Sequence, residues 1–330
     1  MLKSATKSAL SLAALGAVLV LAHVTMASAA PTKVWVSNAG SDSPACGEVS
    51  TPCRSFQQAH DNVAAGGEVG ILTPGDYFTL SIGKSVHIRN DGVGEASILA
   101  AGRTGIELNA GFGDTVGLRG LTIDGQGTGN RGLEIRQAAG VHVQNCVIAN
   151  FELSGDGFGI TMFPGRTVQV FISDTLIYNN GSVASSGGLW IQPGGILANL
   201  NIVLDHVRLE NNVRAVWVDS TIGGNGNGAH VVIRDSVVSG NAGEGIFAST
   251  VAGQAPAFVV VEHTSLLNNG GTGILANGPR ATIILNDDTV TRNGVGISAV
   301  NSGQVISFGN NKNFNNVGPE GAPTGFFSQM

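Results

Sequence analysis

The feature that most constrains this chain is a short segment that ends in asparagine and recurs along much of the sequence. An early copy spans residues 143–150. In the later copies the terminal asparagines lie 32, 29, 28 and 24 residues apart: Asn180, Asn212, Asn241, Asn269 and Asn293. Self-similarity at a period of roughly 20 to 50 residues is typical of solenoid proteins, in which each repeat packs mainly on its neighbours.

A glycine-rich turn and a short apolar strand follow each asparagine. The strand segments are residues 159–162, 188–191, 215–218, 245–248, 273–276 and 296–299. Alternation within such short strands directs every second side chain to a common interior, and coils stack at about 4.8 Å. Leucine-rich repeats and propellers have other spacings. The sequence therefore predicts an all-β fold, a single-stranded right-handed parallel β-helix with three short strands per coil.

The asparagine column has two interpretations. Side-chain amides bind sugars, so the column is a candidate ligand site. Asparagine also tolerates left-handed turn geometry, and stacked amides bond one another and the backbone at each corner of a coil. We favour the structural interpretation.

A short N-terminal capping helix is predicted before the repeats. Phe56, Ala59, Val63 and Ala64 have helical spacing behind Ser55, a favourable N-cap residue. Such a helix closes the open end of a solenoid, where unpaired strand edges would otherwise promote aggregation.

The first residues have the pattern of a secretory signal. Lys3 and Lys7 precede an apolar run over residues 9–24, and residues 27–29 form an A-x-A cleavage site. The alternative is that this segment is an uncleaved membrane anchor. The apolar run is too short for that, because a membrane-spanning helix needs roughly 20 residues. We expect a secreted or periplasmic protein without a later membrane span. The predicted parts are a signal peptide (1–29), an N-terminal strand, loop and helix (30–67), the β-helix (68–317) and a tail that trails or covers the far end (318–330).

Charge and cysteine content narrow the partners. After loss of Lys3 and Lys7 the chain has 15 basic and 23 acidic residues, a net charge of −8, which argues against nucleic acid as a partner. Cys46 and Cys53 lie in a turn-rich loop and are predicted to form a disulfide in an oxidising compartment, whereas Cys146 lies in a strand pattern and is predicted to be buried and free. We expect no metal site and no cofactor.

The repeat also predicts which residues stack on the outside of the solenoid. The position after each Gly-Ile gives one column: Glu107, Glu134, Thr161, Trp190, Trp217, Phe247, Leu275 and Ser298. Two residues further on, a second column contains Gln192 and Asp219. Aromatic side chains beside hydroxyl-binding groups are typical of sugar sites. We therefore predict that Trp190, Trp217, Phe247, Gln192 and Asp219 bind a glycan.

Packing is the alternative for this column, since the long variable turns or a second subunit would also cover it. Another outward column is apolar throughout: Phe171, Val203, Val232, Val260 and Ile284. Long apolar patches usually mark a contact, so self-association is a second expectation.

Glu107, Glu134 and Arg136 are the weak candidates for catalysis. The two carboxylates stack one coil apart with a basic residue beside them, the minimum for acid and base chemistry on a sugar. A solvated surface ladder is the alternative. We interpret His142, His206, His230 and His263 as surface residues.

Four segments of the chain together resemble exported bacterial pectin-lyase-like right-handed β-helix proteins. They are Val34-Trp35-Val36-Ser37, Thr51-Pro52-Cys53-Arg54-Ser55-Phe56, Gly66-Gly67-Glu68-Val69 and the N-x-x-x-G-I coils. The resemblance implies the β-helix fold for nearly all of the mature chain. That superfamily includes polysaccharide lyases, hydrolases, epimerases and adhesins, so the resemblance does not fix an activity.

The enzyme motifs of this superfamily are mostly missing. Polygalacturonase-like enzymes carry N-T-D, D-D, G-H-G and R-I-K on successive coils, and only Asp287-Asp288 matches. No single segment holds the several acidic residues of a pectate-lyase-like calcium site. The sequence thus favours a non-catalytic exported protein that binds polysaccharide or another cell-surface partner. The alternative is a polysaccharide-processing enzyme, which three or more charged side chains converging in a groove beside Trp190 and Trp217 would favour.

Overall fold

Three parallel sheets form the walls of a right-handed β-helix in the computed structural model, which describes residues 29–327. Each full coil passes through a strand of sheet A, a tight turn, a short strand of sheet B, a second turn and a strand of sheet C. The predicted fold class is confirmed. The predicted signal peptide lies almost wholly outside the described residues.

The twelve strands of sheet A are Lys33–Val36, Gly67–Ile71, Val86–Arg89, Thr115–Arg119, Gly140–Gln144, Val168–Ser173, Asn199–Asp205, Gly228–Arg234, Ala257–Glu262, Ala281–Asn286, Gln304–Ser307 and Gly325–Phe326. The ten strands of sheet B are Gly75–Asp76, Ala96–Leu99, Leu121–Asp124, Val147–Ala149, Leu176–Tyr178, Arg208–Glu210, Val237–Ser239, Ser265–Leu267, Thr289–Thr291 and Lys312–Phe314. The nine strands of sheet C are Leu80–Ile82, Ile106–Asn109, Arg131–Gln137, Phe158–Met162, Gly187–Ile191, Arg214–Ser220, Ile246–Thr250, Thr272–Asn277 and Val295–Val300.

The core is a set of apolar columns inside the solenoid. In sheet A, for example, Val170, Ile202, Val231 and Val259 lie in register on successive strands, and all four are buried. Because like residues stack on like, each coil covers the apolar surface of the next.

The N-terminal cap is a single short helix, Phe56–Asn62. The Ser55 hydroxyl accepts a hydrogen bond from the Gln58 amide at 3.1 Å, as an N-cap residue does. Phe56 is buried, with its ring 4.9 Å from that of Tyr77. The helix is shorter than its apolar spacing predicted, since Val63 is already extended (φ −73°, ψ 146°).

The asparagine column is a buried ladder. Asn212 Nδ2 donates to Asn241 Oδ1 at 3.2 Å and to the Ile177 carbonyl at 3.0 Å, while Asn241 Nδ2 donates to Asn269 Oδ1 at 2.8 Å. The structural interpretation is confirmed. The ladder residues themselves are not left-handed. The residue before each of them adopts that conformation instead; Asn211, for example, has a φ of 53°.

Asn150, which ends the earliest copy, occupies the left-handed position and not a ladder position. Its φ is 61°. The ladder position of that coil belongs to Phe151, whose amide donates to Asn180 Oδ1 at 3.1 Å. The sequence pattern thus misplaced this copy by one residue.

A second polar ladder lines the turn between sheets A and B. It includes Thr175, Ser236, Thr264 and Asp288. Asp288 Oδ1 accepts a hydrogen bond from the Thr264 amide at 2.9 Å, and Oδ2 accepts one from the Asn286 amide at 3.0 Å. Asp288 is fully buried, and this burial raises the pKa of its carboxyl to about 7. The Asp287-Asp288 pair therefore has one carboxylate inside the solenoid and does not form a surface catalytic pair.

The cysteines have the predicted arrangement. Cys46 and Cys53 form a disulfide, and Cys146 is free and buried. Burial raises the pKa of the Cys146 thiol to about 11, which makes it a poor nucleophile.

The far end is partly covered by the tail. Its strand Gly325–Phe326 pairs with Gln304–Ser307 and extends sheet A by one strand. Among residues 29–327 the structure has no helix long and apolar enough to cross a bilayer.

Candidate functional site

The predicted outward column lies on sheet C with the predicted register. Glu107 pairs with Glu134, Trp190 with Trp217, and Trp217 with Phe247. Exposure differs sharply along the column, however. Glu107 is exposed and the two tryptophans are partly buried, while Glu134 and Phe247 are only 3% and 8% exposed.

The aromatic members form a continuous outer stack. The rings of Trp190 and Trp217 are 5.4 Å apart with 10° between their planes, and Trp217 stacks on Phe247 at 6.0 Å and 13°. Phe158 stacks on the other side of Trp190 at 5.0 Å, and Phe163 meets Trp190 edge-on at 4.7 Å. The ring faces are therefore covered by neighbouring rings, which corrects the expectation of aromatic faces open to a sugar.

Asp219 lies beside this stack and accepts hydrogen bonds from the side chains around it. Its carboxylate accepts hydrogen bonds from Gln192 Nε2 at 2.9 Å, Trp190 Nε1 at 3.4 Å and the Thr221 hydroxyl at 2.6 Å. Asp219 is 4% exposed, whereas the sequence predicted an outward residue that bonds sugar hydroxyls. Gln192 remains partly exposed, with its Oε1 not engaged by Asp219.

Arg214 lies across the C-terminal part of the stack. Its guanidinium is 4.8 Å from the Trp217 ring centroid and 5.2 Å from that of Phe247. Its Nε also donates to Glu244 Oε2 at 2.7 Å. The Arg214 guanidinium thus lies over the buried Phe247 ring, a contact that the column pattern alone did not reveal.

Three charged side chains meet beside Trp190. Glu134 is bonded to Arg131 and, at 3.0 Å, to Arg136. Arg131 also contacts Asp156 at 2.8 Å, and its guanidinium lies 5.3 Å from the Phe163 ring. The sequence had placed Glu134 on an open surface, but two arginines enclose its carboxylate.

The charged cluster and the aromatic stack share one groove. It has a volume of about 460 Å³ and is lined by Arg131, Glu134, Arg136, Phe163, Trp190 and Gln192. Thr161 lies between Glu134 and Trp190 in the column, and its buried hydroxyl has no hydrogen-bond partner among the described residues. We call this feature the sheet C groove.

Glu107 does not line this groove. It is exposed and lies one coil before Glu134. The register shifts between Ile135 and Gln137, so Gln137, and not Arg136, pairs with Asn109. Arg136 lies at this irregularity, and its side chain is 57% exposed.

The apolar column lies on the outer face of sheet A. Its register is continuous from Phe171 through Val203, Val232 and Val260 to Ile284. Phe171 is 40% exposed, and the others are partly exposed. Self-association through this column stays a prediction. His142, His206, His230 and His263 are all exposed, as the sequence predicted.

One group of potential metal ligands occurs among the described residues, at Asp205, His206 and Asp235. Asp205 already pairs with Arg234 at 2.6 Å and with His206 at 2.7 Å. The hydrogen bond from the Arg234 guanidinium is the largest influence on the Asp205 carboxyl, and it lowers the pKa of that group. The cluster is thus explained by ion pairs on an exposed surface.

Comparisons with known proteins agree with the fold. The family described as right handed beta helix region matches residues 205–313. The crystal structure of pectate lyase Pel9A is similar with a TM-score of 0.63 and 13% identity, over 91% of this chain and 80% of that chain. A rhamnogalacturonan lyase structure is similar with a TM-score of 0.40 and 17% identity, over 83% of this chain and 75% of the other. No curated protein matches the chain.

At 13% identity the likeness to the pectate lyase shows a shared fold and not a shared activity. The chain therefore has a right-handed parallel β-helix fold, similar to that of the pectate lyase.

Proposed function

We propose that this protein is exported and binds a polysaccharide along its lateral face, in the sheet C groove. The observation that carries the proposal is the groove itself, in which the exposed Arg136 and the partly exposed Gln192 flank the partly buried Trp190. A concave site with an aromatic wall and a few polar groups suits a sugar chain. The disulfide in the cap fits the oxidising compartment that export implies.

The groove favours an acidic sugar. Guanidinium groups bind carboxylates through paired hydrogen bonds, and the exposed Arg136 contacts Glu134 through one nitrogen at 3.0 Å. Gln192 is held in place by Asp219, so its free Oε1 is positioned to accept from a hydroxyl. The edge and remaining exposed surface of Trp190 would then contact the sugar ring, because its faces are stacked on other rings.

A glycan-array screen of residues 30–330 tests this proposal. We expect binding to acidic polysaccharides, and Gln192→Ala should weaken it about five-fold, the scale of one lost hydrogen bond. Gln169→Ala is the matched control, because Gln169 is an exposed glutamine on sheet A. Equal loss in both variants, or no glycan bound by the parent protein, would contradict the proposal.

A polysaccharide-processing enzyme is the second candidate, and one observation favours it. Arg131, Glu134 and Arg136 converge beside Trp190, and such a cluster combines a carboxylate with cations that could neutralise a uronate. A lyase would release unsaturated uronides that absorb ultraviolet light, and a hydrolase would release reducing ends. Formation of either product by the parent protein, and its loss in Arg136→Gln, would favour catalysis over binding alone.

A further inference from the structure

The N-terminal half of sheet A carries a basic hollow on its outer face. One outward column contains Glu68, His87, Gly117 and His142 in register on successive strands. The adjacent outward column contains Arg89, Arg119 and Gln144. The hollow between them has a volume of about 230 Å³.

Gly117 creates the space in this hollow. A Cβ atom added there would lie 2.4 Å from His87 Nδ1, so any larger residue would displace the imidazole. On the other side, the His142 ring stacks on Phe171 at 5.0 Å and 13°. The His87 imidazole therefore lies over Gly117, while the His142 ring is held against Phe171.

The charge of the hollow is unbalanced. Arg89 and Arg119 are direct cross-strand neighbours, an arrangement of like charges that normally destabilises a sheet. Glu68 is the acidic residue of this face, and it contacts Lys33 at 2.7 Å and Arg89 at 3.7 Å. Arg119 is exposed and forms no ion pair within residues 29–327.

We infer that this hollow binds a phosphate-type dianion, either as the free ion or as a phosphomonoester. Two adjacent guanidinium groups can each present a fork of donors to a tetrahedral oxyanion. The hollow suits one such group and not a chain of sugars, and it lies on a different sheet from the sheet C groove. The site thus goes beyond the proposed polysaccharide binding and does not depend on it.

The imidazoles add a dependence on pH. Burial, the Arg89 guanidinium and the neighbouring His142 lower the pKa of His87, and Glu68 opposes them. A bound dianion would favour the protonated ring and raise this pKa. The His87 ring signal should therefore titrate at a higher pH in the presence of phosphate than in its absence.

Titration of residues 30–330 with inorganic phosphate, followed by the histidine ring signals in NMR, tests the inference. At pH 8, where phosphate is the dianion, we expect saturable shifts of the His87 and His142 signals. Arg119→Gln should weaken binding at least five-fold. Arg208→Gln is the matched control, since Arg208 is an exposed arginine on sheet B paired with Glu210.

Glucose 6-phosphate and glucose separate the two sources of the anion. Tighter binding of glucose 6-phosphate than of phosphate would identify a phosphomonoester, and equal binding would identify the free ion; both support the site. Absence of saturable shifts, equal affinity in the parent and Arg119→Gln proteins, or equal shifts with unphosphorylated glucose would overturn it.

Discussion

The indole of Trp190 lies parallel to that of Trp217, with 5.4 Å between the ring centroids. This relationship continues on both sides, through Phe158 and Phe247. Because the rings stack along the axis of the solenoid, each covers the face of the next. The stack is thus a structural element of sheet C, and a ligand meets the sides of these rings and the polar groups around them.

Truncation of Trp217 should destabilise the fold. Trp217→Ala removes two ring contacts, each worth about 0.5 to 1.5 kcal/mol beyond the buried area, so we expect the free energy of unfolding to fall by about 2 kcal/mol. The sequence alone predicts only that Trp217 lies on the outside and binds a glycan. Denaturant unfolding measures the change, with Phe171→Ala, exposed by 40%, as control. An unchanged midpoint for Trp217→Ala would show that the stack adds no stability.

The asparagine ladder should also contribute to stability. Asn241→Ala leaves the Asn212 backbone amide without its acceptor and removes the side-chain bonds to Asn212 Nδ2 and Asn269 Oδ1, so we expect a loss of about 1 to 3 kcal/mol with no change in glycan binding. The control is Asn109→Ala, an exposed asparagine on sheet C. Equal thermal midpoints for both variants would count against the ladder.

Asp288 should make stability depend on pH. Its pKa rises from 3.8 to about 7 on folding, so the folded state holds a proton that the unfolded state releases between these values. The stability that the protonated Asp288 contributes to the folded state is fully present below pH 4 and is lost as the pH rises to 7. Asp288→Asn removes the charge but replaces one of the two acceptor oxygens with a donor, so we expect it to abolish this pH dependence, which is worth up to about 4 kcal/mol between pH 4 and pH 8, since one pKa unit is about 1.4 kcal/mol.

Denaturant unfolding of parent and Asp288→Asn proteins at pH 4 and pH 8 measures this effect. The surface substitution Asp287→Asn is the neighbouring control. A constant difference between the parent and Asp288→Asn at both pH values would show that Asp288 does not titrate on folding.

The disulfide should stabilise the cap without determining the fold. It closes a short loop, so replacing Cys46 and Cys53 with serine should cost about 2 kcal/mol. Circular dichroism should retain the β-helix spectrum, and the thermal midpoint should fall. Complete unfolding of the double variant would contradict the local role of this bridge.

The repeat allowed the fold and the stacking register to be predicted, because each Asn and each Gly-Ile pair recurs at one place in the coil. The alternation of residues along a strand predicts whether a side chain points inward or outward. It does not predict which other side chains cover it. Glu134 and Asp219 do point away from the core, but their partners Arg131 and Thr221 come from positions with no repeat pattern.

Local irregularities also escaped prediction. The bulge between Ile135 and Gln137 shifts the register, so that Gln137 pairs with Asn109, and nothing in the alternation marks it. The helix ends at Asn62 although Val63 continues the apolar spacing, because Val63 is already extended. Such features depend on contacts between coils, which a pattern within one coil does not contain.

Isothermal titration with the acidic glycan that binds best tests whether the sheet C groove binds a polysaccharide. Arg136→Ala removes an exposed guanidinium and should weaken binding about ten-fold, because a charged hydrogen bond contributes about 1.5 kcal/mol or more. Arg208→Ala on sheet B should bind like the parent. Identical affinity of the parent and Arg136→Ala proteins would contradict the account and place the glycan elsewhere.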